Sequence, residues 1–327
     1  MERRDFLKIV AAPASPAATV LYDDRPVALD CVGPDPKRTS DALWIRKRDL
    51  PRVNGFELKP QGACRADLCI PIPKDMVRGD YFNLTAFAKK AGQPVVAESG
   101  ARVWSFGEMQ ALGGGLASSR VAPDFEVPGR LGRPVHLAGF RGKKAQDTGG
   151  EAAAGKWYDA AKATFTTLVD TKHTVSSVFQ FINVPMGVWI DEQGRVVRPA
   201  EPAWTSSRTD TFGGKSLAIE GDLYVAAVRD WVTNGDKSAY VLSDEEFAQR
   251  VKPRSPAEME ADASFKLAVW FQQAGNAELA AKYFERAQAL NPDDWNYHRQ
   301  EWSVTPQEAG KKWLEKFLKP KGEKPKG

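Results

Sequence analysis

Apolar and polar positions alternate in short stretches over the first third of the chain. PVALDCV (26–32), ALWIRK (42–47) and GFELKP (55–60) have strand periodicity, and the turn-rich VGPDPKRTSD and KPQGA separate them. NLTAFAKKAG then predicts a helix over 83–91, with Asn83 as its N-cap, Leu84, Phe87 and Ala88 on one face and Gly92 past its end. PVVAES and RVWSFG read as two further strands.

After ALGGGLASSR, a linker by composition, the pattern changes. DFEV and RPVHL predict a strand pair turning through GRLGR, AAAGKWYDAAKA a helix despite Gly155, TTLVD a buried strand and HTVSSVFQF a short helix. GVWIDEQGRVVRP predicts a hairpin with Glu192, Gln193 and Gly194 at its turn, and a helix follows over 221–232. Beyond 255 the period becomes helical. Leu267, Ala268, Phe271, Ala280, Phe284, Ala287 and Pro292 fall at tetratricopeptide spacing for one repeat, which needs a neighbour to cover its apolar face.

Two segments carry a family resemblance. VAPDFEVPGRLGRPVHLAGFRGKK (121–144) resembles the opening of thioredoxin-fold proteins of the peroxiredoxin (AhpC/TSA) and ResA/TlpA type, and FTTLVDTKHTVSSVFQFINVPMGVWIDEQGRVVR (165–198) resembles their closing half. Between these halves the family carries a buried strand, the reactive turn, the helix it caps and a second strand. Here Lys144 runs straight into AQDTGGEAAAGKW, and no cysteine follows Cys69. A strand-helix-strand unit of roughly 30 residues is missing. Such a gap points to a shortened version of a longer redox protein, by mis-spliced gene prediction or by genuine deletion, one route being a selenocysteine codon read as a stop and excised.

The fold class expected is α/β: an incomplete thioredoxin-like domain over 121–234, an N-terminal α+β accessory domain over 20–110 and a C-terminal helical hairpin over 255–302. A tail (1–19) precedes them and a C-terminal helix with a basic tail (303–327) follows. The resemblance implies thiol-disulfide exchange or peroxide reduction in the full-length parent, an antioxidant or thiol-exchange role, with a thiol/disulfide or peroxide substrate and no cofactor. It leaves the chain as written without the helix-capped thiolate that this chemistry needs, so no residue matches the family nucleophile. The rival reading is a non-catalytic binding or scaffold protein that docks a protein partner at the helical hairpin.

Val184 and Pro185 are the groove candidates. In the family a cis-proline in this place lies beside the reactive thiol, and the residue before it bonds an extended substrate; Met186 departs from the threonine common after that proline. Cys64 and Cys69 are the candidate redox pair, with four residues between them, and are otherwise structural cysteines or half of a metal site. Structural zinc wants four ligands, and the three histidines, His136, His173 and His298, lie far off in sequence. Cys31 is expected to be packed. His173 is read as a surface or capping residue, and Asp170 and Asp191 as turn or cap residues.

The net charge of +4 over 327 residues is small, which argues against a nucleic-acid partner. No segment approaches a membrane span. Arg3-Arg4-Asp5-Phe6-Leu7-Lys8 resembles a twin-arginine export motif, but the apolar run after it is short and broken by Pro13 and Pro16, so the expected location is cytoplasmic.

Overall fold

The computed structural model describes residues 17–23, 25–30, 32–33, 41–109, 112, 116, 119–130, 132–137, 150–162 and 164–319. The twin-arginine-like stretch, Cys31, most of the 111–120 linker and the junction at Lys144 lie outside them. Both helices and strands are present, in keeping with an α/β class. The chain divides into two compact units, 1–87 with 97–104, and 88–96 with 105–327.

The first unit opens on β1 (Ala18–Tyr22) and β2 (Arg25–Leu29), paired antiparallel. All five β1 residues are buried, although ATVLY stands at the edge of the expected tail. Then come β3 (Trp44–Arg46), helix α1 (Leu50–Asn54), β4 (Glu57–Lys59), β5 (Gly62–Arg65), β6 (Leu68–Ile70), β7 (Val77–Arg78), β8 (Tyr81–Asn83), helix α2 (Leu84–Lys90), β9 (Val95–Glu98) and β10 (Val103–Phe106). They form sheets of order β2-β1-β10-β9, β3-β8-β7 and β4-β5-β6. Asn83 caps α2 as expected, its Oδ1 accepting the Ala86 amide at 3.0 Å. Phe56, Phe82 and Phe87 fill the core, with ring centroids 5.2 and 5.4 Å apart across Phe87.

In the second unit β11 (Glu126–Pro128) and β12 (Pro134–His136) pair antiparallel, and helix α3 (Gly150–Ala160) follows. TTLVD is not a strand. Thr167 and Leu168 are isolated bridge positions, and among the described residues the run meets Gly129 through the Gly129–Leu168 bridge, with the Arg130 amide donating to Thr167 O and the Val169 amide to Pro128 O. Asp170 then turns away to cap helix α4 (Thr174–Phe179), so the extended run ends before a ladder can form.

Strands β13 (Met186–Ile190) and β14 (Val196–Pro202) form the expected hairpin as a two-stranded sheet. At its turn Asp191 Oδ1 accepts the amides of Gln193 and Arg195, and Gly194 takes the left-handed conformation at φ +78°. A sheet this narrow buries its faces only against other elements. Val188, Ile190 and Val196 pack with Phe125, Leu168, Phe179 and Phe247. Trp189 and Val197, on the opposite face, pack with Tyr224, Ala227 and Trp231 of helix α5 (Gly221–Asn234).

Between β14 and α5 lies a hairpin absent from the sequence expectations, β15 (Ser207–Phe212) and β16 (Lys215–Glu220). Its signal is Gly213-Gly214, both at positive φ, which suits a two-residue turn. The chain ends in helices α6 (Asp244–Arg250), α7 (Pro256–Gln273), α8 (Ala277–Leu290), α9 (Trp295–Trp302) and α10 (Pro306–Leu318). Residues Leu267, Ala268, Phe271, Ala280, Phe284 and Ala287 are all buried between and around α7 and α8.

Arg120 locks β14 to α6. Its guanidinium donates to the carbonyls of Val196, Val197 and Leu242, meets Asp244 Oδ1 at 2.6 Å and lies over the Phe247 ring. Arg120→Met keeps the bulk and removes the guanidinium donors from these carbonyls, of which Val197 keeps the Leu242 amide. It should cost about 2–4 kcal/mol of unfolding free energy, read from denaturant titration of the full chain; a loss under about 1 kcal/mol would show that the contact is peripheral.

Candidate functional site

Two places carry the residues singled out by sequence. The first is the segment 181–185, between α4 and β13. Asp170 holds the start of α4, accepting from the Thr174 and Val175 amides at 2.9 and 2.7 Å, and Gln180 ends the helix in the left-handed conformation. Asp170 and Asp191 are thus cap and turn residues, as expected. The Val184–Pro185 peptide is cis.

Helix α9 grips this segment from one side. The Trp295 amide donates to Ile182 O at 2.7 Å, and Asn296 Nδ2 donates to Phe181 O at 2.5 Å. Arg299 donates through Nε and Nη2 to Asn183 Oδ1 at 3.2 and 3.1 Å. The same oxygen accepts the Val184 amide at 2.9 Å, so that amide is engaged within the chain. The side chains of Ile182 and Val184 face outward, the residues being 43% and 51% exposed.

Beside this crossing is a cavity of about 20 Å³, lined by His173, Ser177, Arg254, Asp262, Asp294 and Tyr297 among others. It has room for about one water and none for an organic substrate. His173 occupies the N-cap position of α4, in keeping with the capping reading, and corrects only the surface one. It is buried rather than on the surface, and it makes no side-chain cap; Nε2 lies 2.9 Å from Gln300 Oε1, and the ring meets Phe265 edge-on at 4.8 Å.

Asp262 of α7 is buried and faces Lys266 Nζ at 2.9 Å, Ser177 Oγ at 3.1 Å and Arg254 Nη1 at 3.9 Å. Burial pushes its carboxyl up, but Lys266 and Arg254, with bonds from Lys266 and Ser177, outweigh that and hold it below the ordinary range. Arg254 also donates to the Ser177 carbonyl and lies 3.8 Å from Glu108. Asp294, the N-cap of α9, behaves in the opposite way. Burial pushes it up to about 7, against the Asn296 amide that it accepts at 2.9 Å; nearby Asp262 adds to the rise, and Arg254 and Lys316 oppose it.

Arg254, Asp262, Asp294, Asn296 and Arg299 were not found by sequence. A signal existed for one of them: Asp262 and Lys266 stand four residues apart, Asp262 amid the buried stripe Met259, Ala263 and Leu267, where an unpaired charge would be costly.

The second place is the hairpin β5–β6 of the first unit. Cys64 and Cys69 face each other across it and form a disulfide, with Cα atoms 4.1 Å apart. No group of three or more metal-ligating residues occurs among the described residues, and no helix among them is long and apolar enough to cross a membrane. Compared with models of known protein families, with curated proteins and with solved structures, the chain matches none.

The raised Asp294 carboxyl carries a pH prediction. An unfolded aspartate releases its proton near pH 3.9, and the folded one near 7. Between those values the folded state holds the extra proton, so this contribution is fully present below about pH 4 and is lost as pH rises through about 7. Its ceiling is roughly 4 kcal/mol at about 1.4 kcal/mol per pH unit. Asp262, held low, acts only in more acid solution. His298, whose imidazole burial holds down to about 3, acts in the opposite sense over the same range, so urea titrations at pH 5 and pH 8 are compared between chains. Asp294→Asn, which keeps the cap, should shift the balance toward greater relative stability at pH 8 than the unsubstituted chain shows. An unchanged difference in the variant would contradict the assignment.

Proposed function

We propose that residues 121–234 are a thioredoxin-like domain of the peroxiredoxin/ResA-TlpA type that lacks its reactive segment. On this reading the chain descends from a thiol-disulfide or peroxide oxidoreductase and is redox-silent in its second unit. The observation that carries the reading is the order of elements around 181–185: a short capped helix, a proline crossing, a strand, its hairpin partner and, after the inserted β15–β16 hairpin, a final helix, with no cysteine anywhere beyond Cys69. A thiol oxidoreductase needs a thiolate with a lowered pKa at a helix N-terminus, and the second unit has no thiol to supply.

The bonding around the crossing supports a silent role as well. Asn183, held by Arg299, occupies the Val184 amide, while Ile182 and Val184 offer only side chains outward. The exposed Ile182 and Val184 side chains offer apolar contact to a partner chain, which is the non-catalytic reading, and the Val184 amide is already taken.

The test uses the full chain with dithiothreitol as electron donor, following insulin disulfide reduction and hydroperoxide consumption. The expected rate equals that of dithiothreitol alone. Multiple turnovers per chain, lost on Cys64→Ser or Cys69→Ser, would overturn the silent reading and move catalysis to the first unit. Independently, the genomic frame across the codons for Lys144 and Ala145 separates the two origins of the gap: an interrupting strand-helix-strand segment there means a mis-spliced gene prediction, and a continuous frame would sink that origin and leave genuine deletion.

A further inference from the structure

The Cys64–Cys69 crosslink does little that the hairpin does not already do. The two residues are direct partners between Ala63–Ile70 and Arg65–Leu68, and β4 pairs along the other side of β5 with Glu57 opposite Cys64. The sequence separation is 5, so the loop closed is among the shortest and the entropy removed from the unfolded chain is small. A bond that adds little to the fold is open to another use.

The two sulfurs stand in different surroundings. Cys64 is on the central strand of β4-β5-β6 and is 2% exposed, whereas Cys69 is on an edge strand and exposed. Cys64 Sγ lies 3.9 Å from the Gly62 carbonyl oxygen, an acceptor that favours a protonated thiol over a thiolate. Exchange proceeds by attack of a thiolate on one sulfur, and access decides which.

We propose that this disulfide is an exchange site for a dithiol reductant, entered at Cys69. The reductant's thiolate bonds to Cys69 Sγ, the Cys64–Cys69 bond breaks, and its electron pair leaves on Cys64 Sγ, which takes up a proton beside the Gly62 carbonyl. The reductant's second thiolate then attacks its own sulfur in the mixed disulfide and releases Cys69 as the thiolate, which is protonated from solvent. The dithiol becomes a disulfide, and its two electrons and two protons end on Cys64 and Cys69. The exchange is stoichiometric, one disulfide per chain, and rests on the hairpin alone, so it stands or falls separately from the reading of the second unit.

The test uses the full chain with Cys31→Ser, to leave one pair. Dithiothreitol should release two thiols per chain with the tryptophan fluorescence and circular dichroism unchanged. Adding Cys64→Ser should leave a Cys69 that reacts with Ellman's reagent about tenfold or more faster than the Cys64 left by Cys69→Ser. Equal or reversed reactivity, or reduction only in denaturant, would overturn the proposal. Should a single-cysteine chain fail to fold, brief glutathione treatment of the folded Cys31→Ser chain decides by mass spectrometry. An adduct on Cys69 supports the site, and an adduct on Cys64 or none refutes it.

Discussion

A carboxylate buried in the apolar face of a helix must be neutralised where it lies, and Asp262 of α7 imposes that condition on the second unit. Its partners come from three places in the chain: Lys266 one turn further along α7, Arg254 just before that helix, and Ser177 on α4. Removing one partner of such a cluster typically costs about 3–5 kcal/mol, because the remaining charge stays desolvated. The pairing therefore fixes α4 against α7, and with α4 the start of the crossing that leads to β13.

The rest of the support follows from that placement. Helix α9 donates from Trp295, Asn296 and Arg299 onto three consecutive residues, 181–183, while the carbonyl of Pro185 accepts the Ala203 amide beyond β14. In a complete α/β domain, neighbouring strands flank a central strand edge to edge and helices cover both faces of the sheet. Here β13 and β14 have helices and side chains in that role: Phe179 and Phe247 on one face, Tyr224 and Trp231 on the other. The apolar repeat over α7 and α8, which cannot stand alone, finds its cover in α9 and α4, where Phe265 meets both His173 and Tyr297.

Much of the framework was legible in the sequence because local chemistry states it. The Asp191–Gly194 turn, the Asn83 cap and the helical period beyond 255 each depend on residues close together in the chain. What failed depends on distant partners. TTLVD has strand composition, but a strand exists only where another strand pairs with it along a ladder, and Thr167 and Leu168 are isolated bridge positions. His173 reads as a surface residue until Gln300 and Phe265, about a hundred residues on, enclose it. The site shows the same division. Cys64 and Cys69 were visible as a pair, while Asn183 with Arg299 and Ser177 with Asp262 required the helices to arrive from beyond 255. The β15–β16 hairpin was within reach of the Gly213-Gly214 signal and was missed because its strands are polar on most positions.

Native-state hydrogen exchange tests most directly the claim that the C-terminal helices support the β13–β14 hairpin. If they do, the amides of Val188, Trp189 and Val197 should open together with those in the middle of α7 and α9, at the same free energy and with the same denaturant dependence, as one cooperative unit. Hairpin amides that exchange through a separate opening of lower free energy, while α7 and α9 stay protected, would contradict the account.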